Sequence, residues 1–201
     1  MVLEFGYIGY SKCLVNLVVP KEKTLNLLVD IDGCVCKYDF PALTKKYFGK
    51  AIPNKGVWTY SLEDSLGVAS RLVTDMFAKE VYSEPNLIQG AVGALKHFIS
   101  KDYNVCVHTN RLRWMTPEEL GDWLDKWGIP YSSIITNGAL PSYVVAHVDD
   151  SPAKLMGTDD ETTVKHLLLF DSPWNRQCLN ITGKLHRVRT WAEVKEVVNG
   201  G

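Results

Sequence analysis

Apolar residues gather in short runs along this chain, and the runs alternate with segments of helical period. Leu25–Ile31, Val105–His108, Val144–Val148 and His166–Phe170 are nearly continuous apolar stretches of strand length. Runs of this kind predict strands buried on both faces. Ile134-Ile135 and Leu185–Val188 are weaker candidates. Between them, Val92, Leu95, Phe98 and Ile99 share one helical face. Thr116-Pro117-Glu118-Glu119 sets a capping Thr, a first-turn Pro and a reciprocating Glu in order. The helix it opens buries Leu120, Trp123, Leu124 and Trp127, and Gly128 and Pro130 stop it. Thr190-Trp191-Ala192-Glu193 repeats the capping signal for a helix through Val194, Val197 and Val198.

Strands alternating with helices imply a parallel sheet with right-handed crossovers. One connection exceeds that scheme. A crossover with its helix needs about thirty residues, yet far more chain separates Asp32 from Val105. The surplus, residues 39–87, is helix-rich, with Leu66, Ala69, Val73, Met76 and Phe77 on one face. It is expected as a small helical cap leaving just after the first strand, where a lid would overhang the strands' carboxyl ends. The core then comprises 25–38 and 88–201. Residues 1–24 form an N-terminal extension in which Leu14–Val19 could add an edge strand.

Composition narrows the setting. The chain has 201 residues, 46% hydrophobic, with a formal net charge of -1. That suits one globular core and gives no basic field to attract nucleic acid. Five cysteines without framework spacing point to reduced thiols and a cytoplasmic setting. Cys34-Val35-Cys36 is too close for a zinc knuckle and reads as loop packing. No apolar run is long enough to cross a membrane. Glu4, Lys12 and Asn16 interrupt the N-terminal stretch, which argues against a signal peptide.

The candidate chemistry lies where the runs end. The first closes on Asp30-Ile31-Asp32-Gly33, and side chains at i and i+2 of a strand point the same way. Two carboxylates that close repel unless a cation or a shared proton relieves them. The second run closes on His108-Thr109-Asn110-Arg111, where a hydroxyl and the following amides can hold an anion's oxygens. The third closes on Asp149-Asp150-Ser151-Pro152. Either Asp could instead cap the helix that begins there, and Thr109 could simply cap its own turn. In neighbouring parallel strands these ends converge on one crevice. Several carboxylates there call for a hard divalent cation, and Mg²⁺ takes such oxygen ligands.

Asp30-Ile31-Asp32-Gly33, Thr109 and Asp149-Asp150 together resemble three motifs of the haloacid dehalogenase (HAD) superfamily of Asp-nucleophile phosphatases. The resemblance implies a Rossmann-like parallel sheet with helices on both faces and a cap inserted after the first strand. It implies Asp30 as nucleophile and Mg²⁺ ligand. Asp32 would be the acid/base, its backbone carbonyl also on the metal. Thr109 and Asn110 would bind phosphate, and Asp149 and Asp150 would hold Mg²⁺. Within the superfamily, the Trp123-Leu124 segment, Phe170-Asp171-Ser172-Pro173-Trp174-Asn175 and Arg189-Thr190-Trp191 resemble the 5'(3')-deoxyribonucleotidases. That resemblance implies a nucleoside monophosphate substrate and a nucleobase pocket that includes Tyr38 and, from the insertion, Trp58. One departure is plain: the family's Lys before the late Asp pair is missing, and its place falls near Ala139. Arg111, then Lys154 one turn beyond Asp150, are expected to supply that charge. The alternatives are another small phosphomonoester, a polynucleotide 3' end, or a non-catalytic relative that holds Mg²⁺ and nucleotide. A homodimer is the assembly left open.

Overall fold

The computed structural model describes residues 24–52, 61–136, 138–178 and 183–200. Residues 1–23, with the Leu14–Val19 strand candidate, and Trp58 lie outside them.

Six strands form one sheet: β1 (Leu25–Val29), β4 (Tyr103–Val107), β5 (Ser133–Ile134), β6 (Tyr143–Asp149), β7 (Thr163–Phe170) and β8 (Leu185–Val188). The short strands β2 (Cys36–Lys37) and β3 (Asn86–Leu87) pair antiparallel beside it. The sheet order is β5-β4-β1-β6-β7-β8, and every neighbouring pair is parallel. Strand order reverses at β1, between β4 and β6. Crevices at such switch points open outside the carboxyl ends of the strands.

Helices cover both faces. On one, α4 (Ala91–Ser100), α5 (Pro117–Lys126) and α7 (Trp191–Asn199) lay Leu95, Phe98, Leu120, Leu124, Trp191 and Val194 against Leu27, Val29, Val107, Val148 and Phe170. On the other, Leu155 of α6 (Pro152–Glu161) packs with Leu28, Cys106, Val144, Leu167 and Leu169. The alternation of β1, with Leu27 and Val29 to one side and Leu28 to the other, follows the period of two of a strand. The expected caps form: Thr116 makes the full capping box with Glu119, and Thr190 accepts from the Glu193 amide at 3.2 Å.

Between β2 and β3 the described residues form three further helices, α1 (Phe40–Phe48), α2 (Leu62–Leu66) and α3 (Ser70–Glu80). They share a separate apolar cluster of Ile52, Leu62, Leu66, Val73 and Met76. The helical face expected to run on from Leu66 to Phe77 is split. Gly67 adopts φ +63 and ends α2, a left-handed cap that glycine takes without a Cβ penalty.

Two strand ends differ from expectation. β1 stops at Val29, because the Ile31 carbonyl is turned into a tight loop and accepts from the amides of Val35 (2.9 Å) and Cys36 (3.0 Å). β6 runs on through Asp149, held by pairing to Leu169 of β7.

Candidate active site

The ends of β1, β4, β6 and β7 meet in one crevice, and backbone bonds fix their relative heights. The Asp30 amide donates to the Val148 carbonyl at 2.9 Å, and the His108 amide donates to the Val29 carbonyl at 2.9 Å. The loop after Asp32 is tied from a distant part of the chain, where the Trp191 indole donates to the Cys34 carbonyl at 2.8 Å. Gly33, at φ +85, lies under Asp150. A Cβ there would sit 2.0 Å from an Asp150 carboxylate oxygen, so only glycine lets the two loops meet.

Asp30, Asp149 and Asp150 each direct a carboxylate oxygen to one point, with the three oxygens within 4.8 Å of one another. All three residues are buried. Lys154, from the first turn of α6, donates to Asp30 Oδ1 at 3.1 Å and to the His108 carbonyl at 2.9 Å, and stands 2.9 Å from Asp149 Oδ2. Behind Asp149 lies His147, two residues earlier on the same strand face. Its Nε2 is 3.4 Å from Asp149 Oδ2, and its Nδ1 is 2.8 Å from the Thr158 hydroxyl. Burial lowers the pKa of His147, and burial with Lys154 nearby lowers that of His108 to about 4. Neither ring therefore adds positive charge near neutrality.

These surroundings pull the carboxyls apart. Burial, Asp149 and Asp32 push Asp30 up to about 7 against the opposing pull of Lys154. Burial and the neighbouring carboxylates also push Asp150 well above the ordinary range. Asp149 is likewise penalised by burial, but His147 and Lys154 outweigh that and hold it low. With all three ionised, three carboxylates against one ammonium would leave two negative charges uncompensated in a buried place. That deficit, and the all-oxygen donor set, fit one divalent hard cation such as Mg²⁺.

Asp32 is not part of this group. The i, i+2 argument assumed a strand that continued past Asp30, but the chain has turned by then, and each Asp has its own cation. The Arg111 guanidinium grips Asp32 with both ends, Nε to Oδ2 at 2.9 Å and Nη2 to Oδ1 at 2.8 Å. Its Nη1 donates to the Val81 carbonyl at 2.9 Å, just beyond α3. Its face lies 4.0 Å from the centre of the Trp123 ring, and the residue is 1% exposed. The Asp32 side chain is 30% exposed, against 9% for Asp30 and 0% for Asp149. The expected order of the two cations is thus reversed: Arg111 is committed to Asp32, and Lys154 reaches Asp30. Lys154 also bypasses Asp150, because the first turn of α6 aims it back across β6 toward β1.

Above the carboxylates opens a cavity of about 390 Å³. Asp30, Asp32, Thr109, Asn110 and Asp150 line its floor. The Thr109 hydroxyl accepts from the Arg111 amide at 3.3 Å, so it caps the 3₁₀ turn Asn110–Arg113 as well as facing the cavity. Tyr38, Phe40, Phe77, Trp114 and Trp174 form an aromatic wall. Phe77 lies 5.6 Å from Tyr38 and stacks on Trp114 at 5.9 Å, while Phe40 meets Trp174 edge-on at 5.6 Å. Phe40, Phe77, Trp114 and Trp174 were not marked by sequence pattern as cavity residues. The signal for Trp114 was its place just past a strand-end anion turn, and for Phe77 its position in an insertion set over that end. His147 could have been found from its i, i+2 spacing to Asp149.

No family model matches the chain, and no curated protein matches it. Solved structures do. A HAD phosphatase from Thermococcus onnurineus aligns at 12% identity and TM-score 0.56, covering 88% of this chain and 99% of that one. The HAD-hydrolase YfnB from Bacillus subtilis, bound to magnesium, aligns at 13% identity and TM-score 0.51, covering 89% and 100%. The protein tyrosine kinase PtkA of Mycobacterium tuberculosis aligns at 12% identity and TM-score 0.58, covering 89% and 99%. The chain therefore has the Rossmann-like α/β fold of the HAD hydrolases. One fold carrying a phosphatase and a protein named as a kinase shows why activity must be argued from the site.

Proposed function

We propose that this chain is a Mg²⁺-dependent phosphomonoesterase acting on nucleoside monophosphates through an aspartyl-phosphate. One observation carries the reading: a buried carboxylate, Asp30, sits beside Lys154 and two further carboxylates at the floor of an aromatic-walled cavity.

In this reading an Asp30 oxygen attacks phosphorus, and the bond from phosphorus to the sugar oxygen breaks. That oxygen leaves with a proton from Asp32, which enters the cycle protonated on one oxygen while the other stays on Arg111. Water then attacks the phosphorus of the aspartyl-phosphate and gives a proton back to Asp32, and the bond from phosphorus to the Asp30 oxygen breaks to release inorganic phosphate and the free carboxylate. Thr109 and the amides after it orient the phosphoryl oxygens. Lys154 offsets the repulsion between Asp30 and a dianion. Asp30, Asp149 and Asp150, with the Asp32 backbone carbonyl, would hold Mg²⁺, which supplies neutralisation of the charge developing on the phosphoryl group. The Asp32 side chain is more accessible than those of Asp30 and Asp149, as a group that exchanges protons with substrate and water needs to be. The helices α1–α3 act as the cap over this floor. Their aromatic residues, with Tyr38 from the loop below, present faces on which a nucleobase can stack.

The test is phosphate release from a panel of nucleoside monophosphates and a generic aryl phosphate, with Mg²⁺ and with a chelator. Release that stops with the chelator is expected. Asp30→Asn should lower the rate by more than about a thousandfold, because the amide keeps the shape and loses the nucleophile. No release from any ester, or a rate untouched by Asp30→Asn, would refute the proposal.

A further inference from the structure

We infer that the cavity is built for a substrate with two anionic phosphoryl groups, one reacting at the floor and the second held at the rim by Lys37 and Arg113. This rests on the phosphomonoesterase reading and extends it to a substrate class: a nucleoside phosphorylated on both sides of its sugar.

The cations at the floor are already committed. Lys154 lies between Asp30 and Asp149, and Arg111 is held by Asp32. Lys37 and Arg113 line the same cavity and are different in kind. Both are exposed, and neither has a carboxylate within salt-bridge distance among the described residues. Exposed cations are ordinary on a protein surface. Two features set these apart. Each immediately precedes an aromatic of the wall, Lys37 before Tyr38 and Arg113 before Trp114. Phe77 touches both of those rings, at 5.6 and 5.9 Å. Both cations thus line the cavity, are exposed, and stand one residue from a single aromatic arc.

A monophosphate leaves this rim unused. Its only charged group must reach Asp30, which is 6% exposed and lies below the arc. A base stacked on the arc, with one phosphate at the floor, would bring a phosphate on the other sugar carbon back toward the rim. Arg113 can grip two of its oxygens, and Lys37 can add a mobile point charge. Glu63 also lines the cavity, but it faces Ser70 of α3 at 3.5 Å and pairs with neither cation.

The experiment compares thymidine 3'- and 5'-monophosphates with thymidine 3',5'-bisphosphate on the full chain with Mg²⁺. It uses the wild type, Lys37→Ala and Arg113→Ala. The KM for the bisphosphate should be lower than for either monophosphate by about tenfold, as one further charge-assisted contact would give. That ratio should collapse toward one in each variant, and it should shrink in the wild type as salt rises. An oligonucleotide ending in a 3'-phosphate separates the two sources of the second group. If it outcompetes the bisphosphate, the rim reads a strand's phosphodiester; if the bisphosphate wins, the rim reads a free nucleotide. A wild-type ratio near one, or a ratio that neither substitution changes, overturns the inference, because the cations would then serve the reacting phosphate or none. If the wild type hydrolyses no ester, the proposed function fails. Calorimetric Kd ratios for the same ligands and proteins then decide the rim by the same two criteria.

Discussion

Lys154 and Arg111 show how two cations near one floor come to do different work. Lys154 neutralises part of a buried acidic cluster, which in the proposed reaction a phosphate dianion must approach. Lys154→Met should therefore cut phosphate release by about a hundredfold, the usual loss for one donor to transition-state charge. Thermal melting alongside will show whether the fold survives. Arg111 touches neither Asp30 nor the cluster around it; it fixes the direction of Asp32. Arg111→Lys keeps the charge and loses the two-pronged grip. Its effect should depend on the leaving group. Nucleoside esters, whose sugar oxygen needs a proton as it departs, should slow by about a hundredfold, within the range that a positioned acid contributes. A nitrophenyl ester, which leaves without help, should slow far less. Equal losses on both would mean that Arg111 only supports the packing around Val81 and Trp123.

At the scale of elements, the aromatic arc joins the loop after β2, helix α3 and the turn after β4, and in the proposed reading its rings serve selectivity while the strand-end carboxylates serve the chemistry. Tyr38→Ala should lower kcat/KM for nucleotides by about tenfold, in line with the worth of one stacked base. Hydrolysis of a small alkyl phosphate should change little, and parallel rate assays on the two esters check this. The same division explains what the sequence made legible. Strands such as Val144–Val148 announce themselves by continuous apolar runs, and the Thr116 and Thr190 caps by local chemistry. β2 and β3 are two residues long each and carry no period, so they were invisible. That Asp30, Thr109 and Asp149-Asp150 end strands could be read directly. That Asp32 faces Arg111 while Asp30 faces Lys154 could not, because it depends on β1 ending at Val29 and on the turn that follows. Side-chain direction in a turn is set by backbone bonds such as those to the Ile31 carbonyl, and composition does not encode them.

For the molecule as a whole, the acidic floor is a liability that protons or a metal must relieve. Asp30 is held near 7 and Asp150 well above its ordinary 3.8. A carboxyl raised in the folded state binds a proton that the unfolded chain releases. The stability it lends is complete below the ordinary carboxylate value and is lost as pH climbs through about 7. Without metal, the two carboxyls should therefore lower Tm from pH 5 to pH 8. His108 and His147 have the opposite slope, because their lowered values add stability as pH rises to their ordinary 6.5, so the fall is clearest above that pH. Mg²⁺ competes with those protons, so the rise in Tm on adding it should be small at pH 5 and larger at pH 8. Melting curves in Mg²⁺ and in chelator at both pH values measure this directly. A metal-induced rise that is greater at pH 5 would show that the cluster does not hold the ion.

The bond from the Trp191 indole to the Cys34 carbonyl spans 157 positions of sequence. It also sets a schedule. Ribosomes deliver residues in order, at about 5–20 each second, so the turn carrying Asp30 and Asp32 is made early and waits for its last brace. Until Trp191 emerges, the Cys34 carbonyl lacks this donor, and α7 cannot seal the sheet face beneath it. A nascent chain halted before Trp191 would carry every carboxylate of the floor and still lack the finished loop that aims them.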